Sequence, residues 1–289
     1  MCQSIKKSHK NLMTKFTLTL DQINTYKKQG FLSPIQILSE EEVSSIKAEI
    51  ELIEKKWPKQ INGTNRNNIH YFSPIFDELV HNKKILDVIE NFIGSDILVA
   101  GTCLFLKEPE NQGFVSWHQD GKYQGWEPYN FLTAWIAITE VTEKNGCVRM
   151  LPGSHKKDFM VHKDTFDENN LLTRGQTIEN VPYDKTIPIL LKPGQLSIHH
   201  PKTIHGSGPN LSKKRRIGFA IQSYISTNVK QKVGKVYVQL ARGQDNCNFH
   251  EHTNRPKKRM NNEDLNLRDK ANLELKKILY KNSNKIGKY

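Results

Sequence analysis

The 289-residue chain is short of apolar residues, of alanine and of closely spaced cysteines, and each shortage excludes something. No hydrophobic run approaches the roughly 18–20 residues that span a bilayer. The first thirty residues lack the apolar stretch of a secretory leader, so the expected setting is cytoplasmic, with no membrane partner. The four cysteines (Cys2, Cys103, Cys147 and Cys247) are far apart and form no C-x-x-C pair. That spacing gives no sign of a disulfide framework or a thiolate zinc site. Hydrophobic residues make up only 36% of the chain, yet 9% of it is aromatic, enough to build a core and to exclude wholesale disorder.

Charge is present in excess of one sign. The 43 Lys+Arg against 30 Asp+Glu leave a net +13, a balance that by itself points to nucleic acid, an anionic membrane or an acidic substrate. Its distribution weakens that reading. From Arg255 to Tyr289 there are eleven basic and four acidic residues, so this tail carries +7 and the other 254 residues only +6. Lys and Asn are common throughout while Ala is scarce, the mark of a composition bias more than of a binding stripe. A nucleic-acid partner is therefore not expected, and oligomeric state is left open.

Thr19-Leu-Asp-Gln22 and Ser39-Glu-Glu-Glu42 have the capping-box pattern of helix starts, and Gly30 should stop the first helix. In the second, Val43, Ile46, Ile50 and Ile53 share a face. A third helix is predicted over Asn82 to Ile93, and one in the tail over Leu265 to Leu279. From Asp96 the texture changes to eight short β-rich runs punctuated by Gly, Pro and Asn. They cover 97–106, 114–118, 131–138, 147–151, 187–191, 195–199, 203–207 and 216–225, and predict an antiparallel sandwich or barrel. Gly153 to Tyr183 is a long polar insertion of the kind that forms lids or binding loops.

His118 and Asp120 are two apart, so on a strand they point to one face and can reach one metal ion. The third ligand should come from His199, His200 or His205. His205 and Ser207 share a strand face, Gly208-Pro-Asn210 turns the chain, and Arg216 returns on a neighbouring strand, which favours His205. Two His and one carboxylate leave part of an octahedral ion open, as in non-haem Fe(II) oxygenases. A nearby Arg fork suits the carboxylate of a dicarboxylic cosubstrate.

These motifs, with Gln29-Gly-Phe-Leu32, Trp117-His-Gln-Asp120, Ala134-Trp-Ile-Ala137, the Asn145 to His155 run, Pro193-Gly194 and His205-Gly-Ser-Gly-Pro-Asn, resemble those of the phytanoyl-CoA dioxygenase family of Fe(II)/2-oxoglutarate-dependent oxygenases. The resemblance spans about Leu18 to Ile225. It implies a mainly β fold, a double-stranded β-helix (jelly roll) flanked by N-terminal α-helices. It also implies iron held by His118, Asp120 and His205, and the distal carboxylate of 2-oxoglutarate held by Arg216 and Ser207 with Trp135 beside it. Dioxygen would be the second cosubstrate, and succinate and CO2 the coproducts. Halogenating relatives have Ala or Gly where this chain has Asp120, so the resemblance implies hydroxylation.

The expected organisation is a mobile basic N-terminus at 1–15, one oxygenase domain at 16–250 (helical over 16–95, jelly roll over 96–226), and a basic C-terminal extension at 251–289. Lys122, Tyr123 and Trp126 in the loop after the metal motif, Arg149 and Arg242 are candidate substrate contacts. The expected substrate is a small polar metabolite such as an amino acid, amine, phosphonate or natural-product intermediate. A non-catalytic jelly-roll binding module, or an oxygenase acting on acyl-CoA or nucleic acid, are the alternatives.

Overall fold

The computed structural model describes residues 15–287. Thr19 and Ser39 each close a capping box, with Gln22 and Glu42, satisfying N–H groups that the first turn of a helix leaves orphaned. They open α1 (Leu20–Gln29) and α2 (Glu40–Lys56), with β1 (Phe31–Gln36) between them. Gly30 ends α1 at φ +87°, a conformation that costs glycine little. Next come α3 (Pro74–Val80) and α4 (Lys83–Ile93). The strands that follow are β2 (Ile97–Lys107), β3 (Val115–His118), β4 (Trp126–Glu127), β5 (Phe131–Ala137), β6 (Val148–Met150) and β7 (Ile187–Ile189). Then come β8 (Gln195–His199), β9 (His205–Ser207), β10 (Arg216–Ser226), β11 (Lys230–Gln231), β12 (Tyr237–Arg242), β13 (Glu251–His252) and α5 (Asn262–Leu279).

Two sheets make the jelly roll. The larger has the order β1-β8-β5-β10-β2-β12-β13, and the smaller β3-β9-β6-β7. Side chains alternate across β10. Ile217, Phe219 and Ile221 face outward and join Ile50, Ile53, Phe76, Ile85 and Ile89 of the helices in one apolar core. The Phe76 and Phe219 rings lie 4.9 Å apart, a contact whose loss by truncation to Ala costs roughly 3–5 kcal/mol. Arg216, Ala220 and Gln222 face inward, onto a cavity between the sheets. The helices thus cover the outside of the large sheet and leave its inner face for chemistry.

All eight strand runs read from the sequence are present, several of them shorter. Five strands were not expected: β1, β12 and the two-residue β4, β11 and β13. β1 contains Pro34, which cannot donate to a ladder, and it is accommodated because β1 is the sheet edge, with a register shift between Leu32 and Ile35. β12 pairs with β2 beyond the run where alternation is clear.

The basic segment at 1–15 lies outside the described residues except for Lys15, whose ammonium is 3.0 Å from Glu90. The segment from 251 onward packs against the domain. Arg259 pairs with the buried Glu49, Asn68 donates to Asn272, and Arg268 is fully buried. The face that α5 turns inward is held by hydrogen bonds as much as by apolar contact, so hydropathy gave it a weak signal. Among the described residues no helix is long and apolar enough to cross a membrane. Cys103, Cys147 and Cys247 are free thiols.

Candidate active site

The register of the small sheet sets His118, at the end of β3, directly opposite His205, at the start of β9. Their rings are 4.1 Å apart. β3 ends at His118, but Gln119 stays extended, so the two-residue alternation carries through to Asp120 as the chain enters a short 3-10 turn. His118, Asp120 and His205 each offer a ligand atom, all within 4.8 Å of one another.

Each imidazole is oriented from behind. Nδ1 of His118 lies 2.8 Å from the Ser116 carbonyl and Nδ1 of His205 lies 3.0 Å from that of Thr203. A carbonyl only accepts, so Nδ1 carries the proton, and in the neutral ring Nε2 presents a lone pair to the site. These Nε2 atoms stand 3.3 and 3.8 Å from Oδ1 of Asp120. Burial, then the neighbouring His118 and His199, hold the His205 imidazole well below its usual pKa. Burial opposes ionisation of Asp120, but the histidines that surround it, among them His199 donating to Oδ2, keep the carboxyl well below the usual range. Lone pairs and a carboxylate oxygen converging in a buried space is a donor set that fits a divalent cation, and the carbonyl-bonded imidazoles are the support that metal ligands need.

Two residues that the sequence reading did not assign complete this support. Thr133 on β5 is paired with His199 on β8. The Thr133 hydroxyl donates to Oδ2 of Asp120 at 2.7 Å, and Nε2 of His199 donates to the same oxygen at 3.1 Å. His199 was weighed as a ligand in place of His205. It binds the other oxygen of the carboxylate, leaving Oδ1 to face the two imidazoles. His200 bonds the backbone N–H of Lys202 and does not line the cavity.

Arg216 lines the opposite end of the cavity, and Lys107 is buried beside it. Arg216 and Lys107 are paired residues on β10 and β2, both 1% exposed. Lys107 donates to Ser207 Oγ at 2.7 Å and also contacts the Gly208 carbonyl. Burial, and then Arg216, depress its pKa to about 6, while burial depresses Arg216 to about 10. Nε and Nη1 of Arg216 have no hydrogen-bond partner. Neither side chain has an acidic partner among the described residues, and the cost of burying an unpaired charge is what lowers both values. Trp135 lies beside the guanidinium, 5.4 Å from ring centre to Cζ. A Cβ at Gly218 would fall within its indole, so glycine there gives the ring its place. This end fits a carboxylate. The signal for Lys107 was a lysine on the inward side of an otherwise apolar strand.

The cavity between these ends has a volume of about 120 Å³ and is lined by His118, Asp120, His205, Ser207, Arg216 and Trp135 together. Of the candidate substrate residues only Tyr123 lines it. Lys122 sits over the Phe159 ring outside it, and Trp126 lines an adjoining cavity. Arg149 alternates away from Val148 and Met150, which face inward, and binds Glu143 and Thr186 instead. Arg242 is drawn to the buried Asp87 and to Glu90 on α4, away from the cavity. Both arginines are bound to other residues of the protein and neither lines this cavity.

A probable alpha-ketoglutarate-dependent hypophosphite dioxygenase of Stutzerimonas stutzeri is 29% identical over 223 residues, 69% of this chain and 78% of that protein. The apo structure of the non-heme monooxygenase ThoJ superposes with a TM-score of 0.79 at 28% identity, covering 90% of this chain and 97% of that one. CytC3, in a structure with Fe(II) and alpha-ketoglutarate, shares the fold at 22% identity and a TM-score of 0.64, over 83% and 94% of the two chains. The family model for phytanoyl-CoA dioxygenase matches residues 26–218, more than half of the chain. The chain belongs to the phytanoyl-CoA dioxygenase (PhyH) family and is an Fe(II)- and 2-oxoglutarate-dependent oxygenase.

Proposed function

We propose that this oxygenase hydroxylates a small polar metabolite, with His118, Asp120 and His205 holding the iron and Arg216, Ser207 and Lys107 holding the distal carboxylate of 2-oxoglutarate. The observation that carries this reading is the pairing of a buried ligand triad with the unpartnered Nε and Nη1 of Arg216 in one cavity. The chemistry such an iron site supplies when loaded is oxygen activation coupled to conversion of 2-oxoglutarate into succinate and CO2, with one oxygen atom passing to a substrate C–H bond.

The chain's own residues do the positioning. His199 and Thr133 take one carboxylate oxygen of Asp120, so the other is left for the metal. The Arg216 guanidinium, with Nε and Nη1 free of protein partners, offers N–H donors to a carboxylate, and Trp135 walls that end. The aliphatic and aromatic lining, with Phe105, Val148, Met150 and Ile189, excludes water from the space between. A carboxylate at Asp120 occupies the place a halide would need, which supports hydroxylation.

The test is to incubate the Fe(II)-loaded protein with 2-oxoglutarate and metabolite pools, and to follow succinate release together with a one-oxygen mass increase. Asp120→Ala should lower substrate-dependent succinate release at least a thousandfold; near wild-type turnover in that variant would remove the assignment.

A further inference from the structure

The cavity at the iron ligands continues into a second one, and the register of two strands orders the pair along a line. On the inner face of β2 and β10, Lys107 lies opposite Arg216, Phe105 opposite Gly218 and Cys103 opposite Ala220. After the irregularity in β10, Gly101 lies opposite Ser223. Lys107 and Arg216 mark the cosubstrate end. Phe105 and Gln222 line both cavities, whereas Gly101 and Ser223 line only the second. The second cavity has a volume of about 110 Å³, and Ala271 and Leu275 of α5 form its roof.

We propose that this second cavity seats the substrate, and that it selects an uncharged or anionic compound carrying a hydroxyl or amide N–H donor on a part about the size of one ring. The proposal rests on the reading of the triad as the iron site.

Three observations point the same way. The first is position. The two cavities share Phe105, Gln124, Gln222 and Leu279, and Thr133 bonds both Asp120 and the Gln222 carbonyl, so a molecule seated under α5 adjoins the triad and can reach it past Phe105 and Gln222. The second is lining chemistry. The wall carries the amides of Asn67, Gln124, Gln222 and Gln231 beside the Trp126 indole, and it includes Arg66 and Lys235 but no Asp or Glu. A cationic substrate would be desolvated there without a counter-charge, which is unfavourable. Oε1 of Gln124, a residue shared by both cavities, is buried without a hydrogen-bond partner. It calls for a donor from the ligand.

The third is size and closure. The volume is of the order of the ~150 Å³ engineered cavity that accepts benzene, too small to enclose a coenzyme A thioester. The roof is fastened, since the Tyr280 hydroxyl donates to the Thr173 carbonyl at 2.7 Å and Arg174 donates to the Lys281 carbonyl at 3.2 Å. Leu172, Thr173 and Leu279 thereby form a shared lip over both cavities. The long polar insertion and the basic tail, which the strand pattern leaves outside the barrel, meet to shape the substrate space.

Gly101 provides a clean way to fill this space. A Cβ built there meets only Oδ1 of Asn68, at 3.9 Å. The experiment measures stimulation of succinate release by four probe sets: free amino acids and their amides, cyclic polyols, aminophosphonates, and palmitoyl-CoA. The wild-type protein, Gly101→Leu and, from the opposite wall, Ala271→Leu are compared, with folding checked by thermal melting. The anaerobic visible absorption band of the Fe(II)·2-oxoglutarate complex reports the metal centre separately.

The expected result is stimulation by at least one of the neutral or anionic small probes, none by palmitoyl-CoA, and a fall of at least tenfold in either folded filling variant, each still forming the band. The proposal is overturned by wild-type stimulation in both filling variants, by stimulation with palmitoyl-CoA, or by a wild-type band with no response to any small probe. Absence of the band in the wild-type protein overturns the iron reading as well, which distinguishes the two failures.

Discussion

Among the described residues Arg216 and Arg268 are the two largest fully buried side chains, each 1% exposed, and their surroundings are opposite. Arg268, on α5, donates to Asp269, to the Gln60 side chain and carbonyl and to the Asn65 carbonyl, and lies over the Phe72 ring. Every direction of its guanidinium is used by the protein. Arg216 leaves Nε and Nη1 unused, has a second buried basic residue, Lys107, as its strand partner, and has no acid beside it among the described residues. A buried guanidinium satisfied by the fold is a structural pin; one left unsatisfied is half of a complex, and the missing half is an anion.

The same substitution at both positions breaks this comparison apart. Arg216→Met keeps most of the volume and removes the donors. Two charge-assisted hydrogen bonds at ~1.5–3 kcal/mol each are lost from the cosubstrate complex, so the Kd for 2-oxoglutarate, titrated through the anaerobic absorption band, should rise more than a hundredfold. The melting temperature should hold or rise, because an unpaired buried charge has gone. Arg268→Met should do the reverse. It leaves buried carbonyls without donors, costing about 3 kcal/mol and lowering Tm by roughly 5 °C, while the Kd for 2-oxoglutarate changes less than threefold. Equal effects on both readouts at both sites would erase the distinction.

The fold was readable where signals are local. Capping boxes at Thr19 and Ser39, the apolar face of α2 and the strand runs after Asp96 are all short-range patterns, and each formed as expected. The 118/120/205 spacing with Arg216 was also enough to nominate residues that the structure brings to one cavity. The partners of those residues were hidden because they arise from register. Thr133 meets His199, and Lys107 meets Arg216, only once strands distant in sequence are aligned. Arg149 and Arg242 show the opposite failure. Charge near a motif suggested substrate, but one alternates outward on its strand and the other is captured by acids on α4. The contacts of the tail were hidden for a related reason, since Arg268 and Asn272 pack by hydrogen bonds that a hydropathy pattern does not register.

Lys107 sharpens the comparison further, because its charge depends on pH while that of Arg216 does not. Burial holds its pKa at about 6 in the ligand-free protein. A bound carboxylate nearby favours the ammonium and raises that value, so above pH 6 binding of 2-oxoglutarate takes up a proton. Affinity must then fall as pH rises from about 6 to 8. It should fall by about tenfold, the loss of one charge-assisted hydrogen bond. In the unfolded chain the lysine has its ordinary value near 10.5. The unfolded state therefore binds more protons between the two values, and this residue makes the ligand-free fold more stable as pH increases through that window. Lys107→Met removes both dependences at once. The Kd for 2-oxoglutarate should become nearly flat over pH 6–8, at the weaker value the wild type shows at its upper end. A variant that keeps the wild-type slope would place the titrating group elsewhere and leave Arg216 as the sole cation that the cosubstrate meets.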